Sequence, residues 1–166
     1  ILGRREYIAK IKKNPLTRAL RVDKFTLAAL EATLRIYRRG EEQQLVPVVS
    51  MLTAPLDELK AKAELLEQLL AKADPEHRLY TTQVRQGYSE SGGGSLPGIE
   101  LPTYLVELTP LTTKAQELMA LLRGGSRPLL AYIREDKLLY DPRTMSEEDI
   151  VDAARATAEQ AAKFTL

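Results

Sequence analysis

The chain has 166 residues, no cysteine, 44% hydrophobic and 28% charged residues, and a net charge of +1. This is ordinary composition for a soluble globular chain, and it excludes disulfides, thiolate metal sites and a cysteine nucleophile. No apolar run approaches the ~18 residues that cross a bilayer, and no secretory leader pattern opens the chain. The expectation is a cytoplasmic protein with no membrane and no metal partner. The charge is uneven: residues 1–40 carry eleven Lys and Arg against three Asp and Glu, a balance of +8. The remaining residues carry thirteen basic and twenty acidic groups, a balance of −7. Such a split points to something anionic, or to the acidic remainder, facing the first forty residues. The start at Ile1-Leu2-Gly3, without Met, reads as a fragment of a longer chain.

A short amphipathic helix is predicted from about Arg4 to Lys13, with Tyr7, Ile8 and Ile11 on one face. Asn14 can cap the next turn and Pro15 suits a first helical position. Residues 15–22 then form a short helical or irregular connector. From Asp23 to Arg39 runs a stronger helix whose Leu27, Leu30, Leu34 and Tyr37 follow helical spacing, with Phe25, Ala28, Ala29, Ala32 and Ile36 widening the apolar surface. So broad a surface predicts a mostly buried helix. Gly40 ends it, and a polar stretch to Pro47 marks a boundary, giving domains of 1–45 and 46–166.

Beyond Pro47, Thr53 is expected to cap a helix to about Ala73 with Leu56, Leu59, Ala63, Leu66 and Leu70 facing inward. Asp74-Pro75 stops it. Leu79–Tyr88 and Leu101–Leu108 read as strands, and Gly92-Gly93-Gly94-Ser95-Leu96-Pro97 between them as a tight connection rather than a linker. Thr112 or Thr113 starts a helix carrying Leu118, Met119, Leu121 and Leu122 and closed by Gly124-Gly125. Leu129–Arg134 and Lys137–Asp141 form a hairpin turning at Glu135-Asp136. Ser146 with Asp149 makes a capping box, and Met145 with Ile150 a hydrophobic staple. The last helix packs through Ile150, Val151, Ala154, Ala158 and Ala161. The order α-β-β-α-β-β-α predicts one mixed or antiparallel sheet with helices on one face.

Most of the chemistry-bearing residues read as structural. His77 is the only histidine and sits in a polar connector, so neither a metal cluster nor a Ser-His-Asp set forms around it. The glycine run lacks the Lys-Ser or Lys-Thr of a phosphate loop. The paired carboxylates Glu41-Glu42 and Glu147-Glu148 read as solvated. Arg143, in Asp141-Pro142-Arg143-Thr144, sits where functional loops often lie but reads as an ion pair or backbone-bonded arginine. Arg18 and Arg21 remain. Three apart on a helical turn they would share a face, and two guanidinium forks can seat a phosphate-like oxyanion through parallel hydrogen bonds. On spacing alone, two solvated or salt-bridged arginines are the better account of them.

The segment Asn14-Pro15-Leu16-Thr17-Arg18-Ala19-Leu20-Arg21-Val22-Asp23-Lys24, continuing to Leu34, closely resembles bacterial L-seryl-tRNA(Sec) selenium transferase, or selenocysteine synthase. Gly92–Pro97 with Leu101-Pro102, and Pro128 to Thr144 with its Asp-x-Arg-Thr ending, extend the resemblance over nearly the whole chain. The resemblance implies an α/β fold class: the C-terminal part of a pyridoxal-phosphate (PLP) enzyme of the aminotransferase-like fold (fold type I), with a small α+β domain of order α-β-β-α-β-β-α. Residues 1–45 would end the large PLP-binding domain and supply the interdomain helix. The implied reaction converts seryl-tRNA(Sec) to selenocysteinyl-tRNA(Sec) with selenophosphate as donor, in a homo-oligomer of dimers. Arg18 and Arg21 match the family's arginine pair and would bind the donor. The lysine that attaches pyridoxal phosphate is not matched in this chain, so the piece alone would be inactive. Two other readings stay open: a related PLP lyase acting on a small amino acid or sugar acid, and a non-catalytic RNA- or protein-interaction module.

Overall fold

The computed structural model describes residues 2–90 and 98–165, which fall into two compact units, 1–50 and 51–166. The Gly92–Pro97 connection lies outside the described residues.

In the first unit, α1 (Arg5–Lys13) is followed by a single 3₁₀ turn, Pro15–Arg18, then α2 (Lys24–Arg39) and the short α3 (Glu42–Leu45). The sequence dictates each junction. Asn14 Oδ1 accepts from Leu16 N at 2.9 Å, and Pro15 takes the first position of the turn, where its missing N–H leaves nothing unpaired. Asp23 caps α2, accepting from Phe25 N and Thr26 N at 2.8 and 3.0 Å. Gly40 closes α2 with φ +72°, a left-handed conformation natural to glycine.

Two expectations fail here. No described residue before Leu59 is buried, so α2 is not a covered helix in this chain: Phe25 is 88% exposed and Leu34 57%. Periodicity records which side of a helix is apolar, and the first unit supplies no layer to lie on that side. The connector 15–22 is a short helical turn followed by irregular backbone, so the helical face that the two arginines would share does not form. Arg18 ends the 3₁₀ turn, and Asp23 must be extended (φ −72°, ψ 170°) to cap α2. The chain therefore leaves helical geometry between them, and Arg21 lies in irregular backbone.

The second unit holds the core. It begins within α4 (Pro47–Thr53) and continues through α5 (Leu56–Ala73), β1 (Tyr80–Glu90), β2 (Glu100–Pro110), α6 (Ala115–Gly124), β3 (Tyr132–Arg134), β4 (Lys137–Tyr140) and α7 (Glu147–Ala161). The helix α4 was not foreseen. Thr53 belongs to its last turn, and Pro55, not Thr53, stands at the N-cap of α5. The strands form one fully antiparallel sheet, order β1-β2-β4-β3. Tyr80↔Pro110 to Glu90↔Glu100 is an unbroken eleven-residue ladder.

Alternation along the strands sorts the two faces. Tyr80, Val84, Val106, Leu108, Leu138 and Tyr140 point one way and pack with Leu66, Leu70, Leu118, Leu122 and Ile150 of the helices. Each fully buried Leu of this layer contributes about 1.5–3 kcal/mol. The opposite face carries Gln83, Arg85, Leu105, Glu107, Leu139 and Tyr132 by register. The α5 stripe Leu59, Ala63, Leu66 and Leu70 is buried, while Leu56 is 40% exposed. In α7 the buried set is Ile150, Ala153, Ala154, Thr157, Gln160 and Ala161. Val151 is exposed, because the stripe advances by three and four from Ile150 and leaves the adjacent residue about 100° away. The capping box forms as expected, with Ser146 Oγ donating to Asp149 Oδ2 at 2.7 Å and accepting from Asp149 N at 3.1 Å. The β3–β4 turn places Glu135 and Asp136 at φ +52° and +58°. β3 is shorter than foreseen, beginning at Tyr132.

Candidate functional site

Arg18 and Arg21 stand on the tight turn that leads from the 3₁₀ segment to α2, linked by a backbone contact from Arg21 N to Arg18 O at 3.4 Å. Both are exposed. Neither enters a salt bridge or side-chain hydrogen bond among the described residues; the ion pairs of the first unit are Arg35–Glu31 and Arg39–Glu41. Asp23, the nearest acid, has its carboxylate engaged by Phe25 N, Thr26 N and Thr26 Oγ1. Those bonds, the Thr26 amide foremost, hold its carboxyl below the usual range. The two guanidinium groups thus keep their donors for an external acceptor, through a turn rather than along one helix face.

Arg143 is the contrast. It is 8% exposed and fully engaged: Nε donates to Ser89 Oγ at 2.8 Å, Nη1 to the Met51 carbonyl at 2.8 Å and Nη2 to the Pro102 carbonyl at 2.5 Å. Asp141 completes the cluster, accepting from Ser89 Oγ, Thr103 Oγ1 and Arg143 N. The arginine fastens four chain segments and has no fork left for a ligand, as a structural reading of the sequence expects. Sequence reasoning missed Ser89 and Thr103, which come from facing strands and carry no local signal.

A second polar cluster, also unforeseen, lies on the helix-free sheet face. Glu107, 7% exposed, accepts from Lys137 Nζ at 2.6 Å and Gln83 Nε2 at 2.7 Å, with Arg85 Nε 2.9 Å away. The Lys137 ammonium outweighs the cost of burial and holds this carboxyl below its ordinary value. A groove of about 620 Å³ runs beside it, between Arg85, Gly87, Leu105, Tyr132 and Arg134. Two smaller grooves border α7, where Asp152 is paired with Arg127 and Arg155. None of the three is lined by a lysine. His77 is an exposed turn residue at φ +48°. Among the described residues no group of three His, Cys, Asp or Glu could hold a metal, and no helix is long and apolar enough to cross a membrane.

Residues 1–146 match the profile of the L-seryl-tRNA selenium transferase family. The chain belongs to the L-seryl-tRNA selenium transferase family. It is 43% identical over 162 residues to the L-seryl-tRNA(Sec) selenium transferase of Solidesulfovibrio magneticus, covering 96% of this chain and 34% of that protein. The enzyme of the same name from Aquifex aeolicus is 45% identical over 152 residues, covering 90% of this chain and 32% of that protein. The chain therefore spans about a third of the length of these relatives. Among solved structures, D-glucosaminate-6-phosphate ammonia-lyase is similar in fold, with a TM-score of 0.60 at 17% identity, covering 99% of this chain and 39% of that one.

Proposed function

We propose that this chain is the C-terminal part of a cytoplasmic, pyridoxal-phosphate-dependent enzyme of fold type I. The whole enzyme converts seryl-tRNA(Sec) to selenocysteinyl-tRNA(Sec), takes selenium from selenophosphate, and assembles as a homo-oligomer of dimers. In this reading residues 1–45 close the large domain and 46–166 form the small one. The exposed apolar side of α2 would be covered by the rest of the large domain. Arg18 and Arg21 hold the donor's phosphate-like oxyanion.

The observation that carries the assignment of the arginines is their freedom: two arginines on one turn, exposed and without an acid partner among the described residues. A tetrahedral oxyanion can accept from both forks, and charge-assisted hydrogen bonds of this kind are about twice as strong as neutral ones. In this reading the lysine that attaches pyridoxal phosphate belongs to the part of the enzyme outside this chain. Its first-unit lysines are exposed on α1 and at the start of α2, and the three grooves of the second unit lack a lysine to attach it. In this reading the piece alone is inactive.

The test is selenium transfer by the full-length enzyme with seryl-tRNA(Sec), comparing Arg18→Ala and Arg21→Ala with the unaltered protein. Loss of transfer at unchanged melting temperature supports the assignment. Near-normal turnover in either variant removes it.

A further inference from the structure

The first unit is basic well beyond its arginine pair. On α1, Arg5, Lys10, Lys12 and Lys13 are all exposed, and none joins a salt bridge among the described residues. At 100° per residue, Tyr7, Ile8 and Ile11 fall together on one arc of α1 and these cations cover the rest. Glu6 is the only acid of the helix. The helix ends at Asn14, and the 3₁₀ turn that follows delivers Arg18 and Arg21 directly after it. Exposed cations therefore recur from the first turn of α1 to the edge of α2.

Among the described residues none of these cations on nine helical residues has an acid partner, and an anion that extends as far as they do would relieve their mutual repulsion. A nine-residue helix is about 14 Å long, a length over which a nucleic-acid duplex presents about eight phosphate charges. A single small anion would match the arginine turn alone. An anionic membrane is a poorer match, since interfacial helices insert a large apolar face, and α1 offers only Tyr7 and two isoleucines.

We infer that α1 is an RNA-binding surface on which Arg5, Lys10, Lys12 and Lys13 contact the phosphate backbone of a folded RNA. Its end delivers that RNA toward Arg18 and Arg21. Naming the RNA as the body of a substrate tRNA rests on the proposed function; the contact itself rests on the placement of the charges.

The test is fluorescence anisotropy of the 166-residue chain with a labelled, uncharged tRNA transcript between 50 and 200 mM KCl. Three proteins are compared: the unaltered chain, Lys10→Ala/Lys12→Ala/Lys13→Ala, and the same three positions changed to Arg. Alanine favours helix, and far-UV circular dichroism checks that α1 persists. The alanine variant should lose about 2–3 from the slope of log affinity against log salt, so that the weakening across this salt range shrinks by about forty-fold. The arginine variant should keep the slope. An unaltered slope in the alanine variant overturns the inference, as does tighter binding of the chain to phosphatidylserine vesicles than to the transcript. No turnover enters this measurement, so its failure leaves the selenium-transfer reading standing, and failure of the Arg18 and Arg21 variants leaves this one.

Discussion

Ser89 places one hydroxyl between Asp141 and Arg143, donating to Asp141 Oδ2 at 2.5 Å and accepting from Arg143 Nε at 2.8 Å. Arg143, in the 3₁₀ turn Pro142–Thr144, and Asp141, which caps that turn, are thereby locked to strand β1. The Asp141 carboxylate and the Arg143 guanidinium never touch through their side chains, yet each orients the other through this oxygen and through the Asp141 bond to Arg143 N. Arg143→Ala should cost about 3–5 kcal/mol in urea unfolding, because it strands the half-buried Asp141 carboxylate, the buried Ser89 hydroxyl and two carbonyls. Arg143→Lys should recover only part of that, since an ammonium cannot reach Ser89, Met51 and Pro102 at once.

Glu107 and Asp74 set the acid limit of the second unit. Burial alone would raise the Asp74 carboxyl, but amides of Leu79, Arg78 and Tyr80 outweigh it and hold it low. Both folded-state values lie below the unfolded ones, so the stability they supply is present above the ordinary carboxylate range and lost as pH falls through the folded values. Unfolding monitored by circular dichroism should therefore show stability declining below about pH 4. Glu107→Gln should flatten that decline while lowering stability at pH 7 by about 1–3 kcal/mol.

The β3–β4 turn separates two effects that look alike in sequence. Glu135 and Asp136 both sit at positive φ, where glycine is less strained. Glu135→Gly should be neutral to stabilising, by up to about 1 kcal/mol. Asp136→Gly should be net destabilising, by about 0.5–1 kcal/mol, because Asp136 Oδ1 accepts from Ala115 N at 3.0 Å and so caps α6 from a distant strand turn. Thermal melts of the two variants should move in opposite directions or by clearly unequal amounts.

Local signals were legible and shared surfaces were not. Asn14, Asp23, Gly40 and the Ser146–Asp149 box act on neighbours within four residues, so the string of residues carries them. Met145 and Ile150 form the staple for the same reason: Ile150 is fully buried and Met145 packs on the core. The clusters around Glu107 and Arg143 unite residues dozens of positions apart, through a strand register that composition cannot supply. The burial of α2 was misjudged because an apolar stripe states a need, not a neighbour. The shared face of Arg18 and Arg21 was misjudged because the cap at Asp23 ends helical geometry before Arg21. Among the described residues the two arginines have no ion-pair partner.

For that pair, Arg18→Ala and Arg21→Ala in the full-length enzyme should each lower selenium transfer by about ten- to a hundred-fold, the equivalent of one charged hydrogen bond of 1.5–3 kcal/mol. Stability should stay within about 0.5 kcal/mol, as for exposed residues without partners. The loss should be carried by the dependence on selenium donor concentration, with the dependence on seryl-tRNA unchanged.

The absence of any buried residue before Leu59 among the described residues gives the chain two clocks. Amide protons of α2 are guarded only by a sixteen-residue helix, which alone is marginal in water, so their exchange with deuterium should be rapid. Those of β2, paired on both sides, wait for the whole second unit to open.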